Sequence, residues 1–131
     1  MVNRFSRDKG PSQRQLRAGE LIRHALVEIL TRENLREPQL RGVSITVTEV
    51  RTTPDLKQAS AYCTPLGGAN GAEIVAALNR VAPHVRGLLG RRIDMKFTPS
   101  LKFVLDQSFD EARRIDEILA RPEVKRDLER R

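Results

Sequence analysis

The chain has 131 residues, 39% of them hydrophobic, and carries 24 Lys and Arg against 17 Asp and Glu, for a formal net charge of +7. This length supports one domain with a single core, and this composition favours a folded globule over an intrinsically disordered chain. Arginine dominates the basic residues, and its planar guanidinium suits phosphate. A nucleic acid or an anionic membrane is therefore the first class of partner to consider.

Cysteine usage and apolar runs exclude several other classes. The single cysteine, Cys63, has no partner for an internal disulfide, and two histidines far apart in sequence indicate no metal site. No apolar run approaches the roughly 18 residues of a membrane span. The initial segment MVNRFSRDKGPSQRQ lacks the apolar centre of a secretory signal. We therefore expect a cytoplasmic protein with no membrane partner, no metal and no cofactor.

The N-terminal part predicts a flexible basic arm and then an amphipathic helix. Residues 1–11 show no periodicity, and Ser12 is suited to cap the helix. Apolar residues then recur at the i, i+3, i+4 spacing of one helix face. They are Leu16, Leu21, Ile22, Ala25, Leu26, Ile29 and Leu30.

Three segments alternate apolar and polar residues, which predicts half-buried strands. VSITVTEV (43–50) and KQASAYCT (57–64) are expected to form a hairpin, and RRIDMKFTPSLKFVLD (91–106) a third strand with a kink at Pro99. The small inward residues of the second strand predict a closely packed helix, with Cys63 in the core. The inward positions are Val43, Ile45, Val47, Ala59, Ala61, Cys63, Ile93, Met95, Phe97, Leu101, Phe103 and Leu105.

Between the second and third strands, one apolar stripe runs through a proline. One helix is predicted from about Ala72 to Pro83, and another from Pro83 to about Arg92. Proline inside a helix removes a hydrogen bond and costs about 3 kcal/mol. We therefore expect a break there, with Pro83 as the first residue of the second half. The stripe consists of Ile74, Leu78, Val81, Val85 and Leu88, so both halves are expected to pack on the same sheet.

The fold class that follows is α+β. A short helix (108–121) and a charged tail (122–131) complete the chain, and residues 12–121 are expected to form one domain. The order is α-β-β-α-kink-α-β-α, with a three-stranded sheet and helices on one of its faces.

Basic residues concentrate around the helix break and in the segment after it. Six Lys and Arg lie from Arg80 to Lys102, against one acid, Asp94. We expect the arginines to point away from the core and the start of the second half-helix to offer backbone N–H groups to phosphate. Aromatic residues make up only 4% of the chain, so base stacking is not the expected main mode of binding. Structured RNA, recognised by shape and phosphate, fits this pattern.

The other short motifs give less information about function. Residues 68–71 and 87–90 both fit G-x-x-G, the loop by which KH domains clamp a nucleic-acid backbone, but the first has no cation and the second contains two leucines. We interpret these two stretches as a connector and as part of the core. There is no phosphate-cradling G-x-x-x-x-G-K-[ST] and no H-E-x-x-H zinc motif.

At this point the chain resembles a known family, bacterial ribosome-binding factor A. The resemblance spans roughly residues 12–120. It is carried by RAGELIRHALVEIL, VSITVTEVRTTPDLKQASAYCTPLG, LNRVAPHVRGLLGRRIDMKFTPSLKFVLDQS and RIDEIL. The most specific parts are the Asp55-Leu56-Lys57 turn, Arg86 and the Thr98-Pro99-x-Leu101-x-Phe103 run that ends at Asp106.

The resemblance implies a type II KH-like fold in which an interrupted helix replaces the G-x-x-G loop. It also implies a non-enzymatic factor that binds the small ribosomal subunit, assists late maturation of its RNA including precursor processing, matters for growth in the cold, and is released by GTPase partners. The family's Ala-x-Gly kink aligns with Ala82-Pro83-His84, so His84 stands where glycine is expected.

We therefore expect a monomeric RNA-binding assembly factor of the small subunit. The candidate RNA-binding residues are Arg14, Arg17, Arg80, Ala82, Pro83, His84, Arg86, Arg91, Arg92 and Lys96. Three alternatives remain open. They are a general KH-like binder of messenger or small RNA, a small enzyme using His84 with Cys63 or Asp94, and a protein adaptor using the Thr/Ser/Tyr face of the hairpin.

Overall fold

A computed structural model of the chain describes residues 10–107. The final helix expected at 108–121, the tail and most of the N-terminal arm lie outside the described residues. The elements are α1 (Gln13–Arg32), a short 3-10 helix (Pro38–Leu40), β1 (Ile45–Thr52), β2 (Gln58–Pro65), α2 (Gly71–Arg80), α3 (Ala82–Arg92) and β3 (Ser100–Leu105).

The sheet has three strands in the order β1-β2-β3, with β2 in the centre. Strands β1 and β2 form the expected antiparallel hairpin, and β3 returns after the helix pair to lie parallel to β2. Ala59, Ala61 and Cys63 of β2 are buried, as the small-residue pattern predicts. The α+β prediction is confirmed over the described residues.

The third strand is shorter than its alternation predicts. Residues 93–99 are not a strand, and β3 begins only at Ser100. Ile93 and Phe103 are buried, but Phe97, which was expected to face the core, is 61% exposed. The alternation misled because Ile93 is buried as the cap residue of α3, and because Pro99, buried itself, separates two segments of different conformation.

The first strand contains a β-bulge that its alternation does not show. The pairing of β1 with β2 shifts between Val47 and Glu49, so Thr48 is an extra residue. Val47 and Val50 are therefore both buried, three positions apart. The Thr48 hydroxyl shares its single hydrogen between the Asp106 carboxylate, which is the nearer acceptor, and the Tyr62 carbonyl, and this joins the bulge to the end of β3.

Helix α1 begins as expected and buries a narrower stripe than expected. The Ser12 hydroxyl accepts from the Gln15 backbone N–H, while the Gln15 side chain accepts from the Ser12 N–H, forming a capping box. The buried residues are Ala18, Gly19, Ile22, Leu26 and Ile29. Leu16 and Leu21, expected on this stripe, are exposed.

A very close approach joins α1 to the sheet at a glycine. A Cβ built at Gly19 would lie 2.5 Å from the Val50 carbonyl oxygen, so only glycine fits there without movement of the backbone. On the other edge of the sheet, the Asn79 amide donates to the Phe103 carbonyl at 2.9 Å and accepts from its N–H at 2.8 Å. The end of α2 is thereby attached to the free edge of β3.

We predict opposite effects for the same substitution at two helical glycines. Gly19→Ala should destabilise the protein by about 1–3 kcal/mol, because the new methyl group meets a backbone carbonyl. Gly87→Ala should stabilise it by about 0.5–1 kcal/mol, because a Cβ there meets nothing within 4 Å and alanine favours a helix. Denaturant unfolding of the two variants measures both signs. Equal effects would contradict the close α1–β1 contact.

The Cys63 thiol is enclosed in the core and should be unreactive in the folded protein. Burial, with the nearby Asp106 charge, raises the pKa of this thiol from an ordinary 9.0 to about 12. We expect the folded protein at pH 8 to resist a disulfide reagent that labels the unfolded chain. Because the folded pKa is raised, the thiol's contribution to stability is full below pH 9 and is lost as the pH rises toward 12. Rapid labelling of the folded protein at pH 8 would contradict this burial.

Candidate nucleic-acid interface

The helix break predicted at the proline is present. Helix α2 ends at Arg80, α3 begins at Ala82, and Val81 between them has φ −99° and ψ 7°. The Val81 N–H is shared between the Ala77 carbonyl at 3.3 Å and the Leu78 carbonyl at 3.2 Å. Pro83 is the second residue of α3, not the first, so its missing N–H still falls in the first turn.

Both half-helices pack on one core, as the continuous apolar stripe predicts. Ile74, Leu78 and Val85 are buried, and Val81 is half-buried at the break. Leu89 supplies the next fully buried position, whereas Leu88, expected there, is half-buried. The G-x-x-G at residues 87–90 is therefore part of a regular helix and not a clamp loop.

The face of α3 that points away from this core is small and cationic. Arg86 and Arg92 are exposed at its margins, and at about 100° per residue the five other exposed residues of α3 fall on one side of the helix. They are Pro83, His84, Gly87, Gly90 and Arg91, which we call the outer face of α3. Within residues 10–107, neither the His84 ring nor the Arg91 guanidinium has a hydrogen-bond or ion-pair partner. This face combines open space at Gly87 with the positive charge of Arg91.

Two arginines predicted to point outward are paired with carboxylates, which corrects the sequence expectation. Arg80 contacts Glu37 at 3.1 Å and also donates to the Gln39 side-chain oxygen at 2.8 Å. Arg92 contacts Glu28 at 3.0 Å and Glu33 at 3.3 Å.

The acids that pair with Arg80 and Arg92 lie on α1 and on the segment just after it. They are more than forty residues away in sequence, so the local count of charges could not reveal them.

Arg86 also has partners, but they are backbone carbonyls. Its guanidinium donates to the Thr98 oxygen at 2.8 and 3.1 Å and to the Pro99 oxygen at 3.2 Å. These partners leave its positive charge in place, because carbonyls are neutral. Gly90 lies close by, since a Cβ there would be 2.9 Å from the Thr98 hydroxyl oxygen. Arg86 thus fastens the segment before β3 onto α3.

Ala82 is buried, so its side chain packs at the break.

A second group of cations lies around a groove of about 350 Å³. Arg14, at the start of α1, and Lys96, after α3, both line it, and so do Lys57 and Phe97. The structure therefore brings together two predicted residues that are far apart in sequence. Arg17, one turn further along α1, is exposed.

Sequence reasoning missed Lys57 and Phe97 as candidate binding residues. Lys57 lies in the Asp55-Leu56-Lys57 turn that carries the family resemblance, and that motif was the signal available for it. Phe97 had none, because its alternation with Met95 indicated a buried position.

The described chain does not bring together the residues that the enzyme alternative names. Cys63 is buried with a raised thiol pKa, while His84 is exposed on α3 and bonds to neither Cys63 nor Asp94. The enzyme alternative that pairs His84 with Cys63 is therefore contradicted by burial. Residues 10–107 hold no cluster of three His, Cys, Asp or Glu able to bind a metal. None of their helices combines the length and apolarity needed to cross a bilayer.

Comparisons with known proteins agree on one family. A family model described as ribosome-binding factor A matches residues 14–119. Ribosome-binding factor A of Maricaulis maris is 58% identical over 121 residues, which cover 92% of this chain and 86% of that protein.

Two structural neighbours carry the same name. The crystal structure of ribosome-binding factor A from Thermus thermophilus has a TM-score of 0.55 and 25% identity, and the match covers 70% of this chain and 94% of that one. A homology model of the Thermus thermophilus factor, fitted into a cryo-EM map of its 30S complex, has a TM-score of 0.50 and 27% identity, and the match covers 66% and 89%. The KH-like α+β fold implied by the resemblance is confirmed, and the chain belongs to the ribosome-binding factor A family.

Proposed function

We propose that the protein binds the small ribosomal subunit through its ribosomal RNA and assists late maturation of that RNA, including precursor processing, without catalysing a reaction itself. The observation that carries this proposal is the outer face of α3, where His84 and Arg91 flank glycines and have no partner among residues 10–107. The Thermus relative fitted into a 30S map supports the choice of partner.

The outer face of α3 suits a sugar-phosphate backbone for two reasons. The space beside Gly87 is open, because a Cβ placed on this residue would have no neighbouring atom within 4 Å. A bulky anion can therefore approach the helix closely. Arg91 supplies a guanidinium that can bind phosphate with two parallel hydrogen bonds. His84, where the family has glycine, adds an imidazole N–H beside Pro83 as a further candidate donor to phosphate.

Ion pairing within the protein divides the candidate residues into two sets. We assign direct RNA contact to Pro83, His84, Arg91 and Lys96, with Arg14 and Arg17 of α1. We assign supporting roles to Arg80, Ala82, Arg86 and Arg92, because their side chains are buried or bonded within the fold. The charge of Arg86 still adds to the attraction, since its partners are neutral carbonyls.

Such a factor acts by mass action. Binding to one conformation of immature RNA stabilises that conformation until maturation alters the site and the affinity falls. A monomer released by a GTPase partner, and a requirement during growth in the cold, are parts of this proposal that rest on the family resemblance.

We predict that Arg91→Glu weakens binding to purified small subunits about tenfold or more. The variant should also lower the slope of log affinity against log salt by about one or more, because a phosphate contact is lost. Co-sedimentation at several salt concentrations measures both. Lys102→Glu on β3 is the matched control, since Lys102 is exposed and, like Arg91, has no ion-pair partner within residues 10–107, so it changes the net charge equally and should leave binding nearly unchanged. Equal effects of the two variants would show that only overall charge matters.

We also predict that Gly87→Gln weakens small-subunit binding while the helix becomes no less stable. The substitution changes no charge and fills the open space on the outer face of α3. The control is Ala72→Gln, an exposed position at the other end of the helix pair. Unchanged co-sedimentation of Gly87→Gln, with normal thermal unfolding, would exclude close approach of RNA to this face.

Crosslinking in cells tests the choice of RNA itself. We expect ultraviolet crosslinks to concentrate on small-subunit ribosomal RNA. Crosslinks scattered over many transcripts would instead support a general KH-like binder of messenger or small RNA.

A further inference from the structure

Phe97 is a large aromatic residue left in solvent by a segment that is firmly held. It is 61% exposed, while Pro99, two residues later, is fully buried. Arg86 of α3 binds the carbonyls of Thr98 and Pro99, and β3 begins immediately afterwards. The exposure of Phe97 is therefore imposed by a fixed backbone and is not that of a loose loop.

Phe97 forms one wall of the groove that contains Arg14. Half-buried Leu56 and Met95 add apolar surface to this groove, and Lys57 and Lys96 add charge. Its volume of about 350 Å³ is at the lower end of the range for small-molecule sites. The groove thus pairs an aromatic face with cations at a size suited to one nucleotide.

The net charge of the residues around the groove is positive, even with its single acidic residue included. Asp55 also lines it, but its carboxylate accepts from the Thr53 hydroxyl at 2.6 Å and from the Lys57 N–H at 3.0 Å. These hydrogen bonds, the one from Thr53 first, lower the pKa of Asp55. Asp55 therefore shapes the turn that presents Lys57, while three cations stand against its single negative charge.

The position of Arg14 is unfavourable for the helix that carries it. Arg14 is the second residue of α1, and the first turn of α1 contains no acid. A cation at a helix N-terminus is repelled by the helix dipole. No carboxylate within residues 10–107 forms an ion pair with Arg14, although Asp55 lines the same groove. Lys96 lies 5.9 Å from the centre of the Phe97 ring, so its charge is held beside the aromatic face.

We propose that this groove binds one unpaired nucleotide of the ribosomal RNA, with the base stacked on Phe97 and the flanking phosphates held by Arg14, Lys57 and Lys96. This site rests on the proposed function and adds a base-contacting element to it. An aromatic face accepts any base, and cations beside it hold the backbone, which is how proteins bind unpaired nucleotides. The cations favour RNA over an apolar protein segment as the occupant.

The test compares Phe97 variants of the full chain for binding to purified small subunits. We expect Phe97→Ala to lower the affinity about tenfold, Phe97→Leu to lower it similarly, and Phe97→Tyr to keep it, because stacking needs an aromatic ring. Leu66→Ala is the matched control, since Leu66 is a 78% exposed apolar residue in the loop after β2 and should be neutral. Full binding by Phe97→Leu would overturn the proposal. So would a loss of affinity for Phe97→Ala that is no greater than the loss for Leu66→Ala.

Ultraviolet crosslinking of the wild-type protein to small subunits identifies the occupant. We expect the peptide that contains Phe97 to carry a single ribosomal nucleotide. A crosslink from this peptide to a ribosomal protein, or to residues 108–131 of the chain itself, would overturn the site. If the wild type fails to bind subunits at all, the proposed function fails. If Arg91→Glu abolishes binding while Phe97→Ala does not, only the nucleotide site fails.

Discussion

The contact between the Arg86 guanidinium and the carbonyl oxygens of Thr98 and Pro99 is the one on which both candidate surfaces depend. It fixes the segment after α3, and so sets the direction of Phe97 and Lys96. It also turns the Arg86 side chain toward the segment before β3, which leaves the outer face of α3 to residues such as Pro83, Gly87 and Arg91. Because Arg86 is bonded to neutral atoms, it organises the interface without removing positive charge from it.

Ion pairs decide where the protein's excess positive charge is presented. Arg80 and Arg92 join the helix pair to α1 and to the segment after it through Glu37, Glu28 and Glu33. Exposed pairs of this kind contribute at most about 1 kcal/mol each to stability. Their larger effect is on the surface potential, since they neutralise the flanks of α3. Cations without an ion pair remain at Arg91 on its outer face and around the Phe97 groove, and others lie elsewhere on the described surface, at Arg32, Arg36, Arg41 and Lys102.

Local patterns predicted the elements that local forces determine. The Ser12 cap, a helix break next to Pro83, the small inward residues of β2 and the α+β order all follow from spacing and backbone chemistry, and all are present, with the break two residues before the proline. The errors occur where a distant contact overrides the pattern. The Thr48 bulge bonds to Asp106, which is 58 residues away. Residues 93–99 alternate like a strand, yet they are anchored to α3 and leave Phe97 in solvent.

By itself, the sequence determined the fold class, the position of the broken helix and the basic character of its flank. These depend on helix and strand periodicity, on the missing N–H of proline and on composition, all of which act within a few residues. Only the tertiary structure decided which cations are available and whether Phe97 is buried or exposed. Those outcomes depend on which carboxylates and carbonyls the folded chain brings beside each side chain. Such contacts join residues that are distant in sequence, so local patterns cannot predict them.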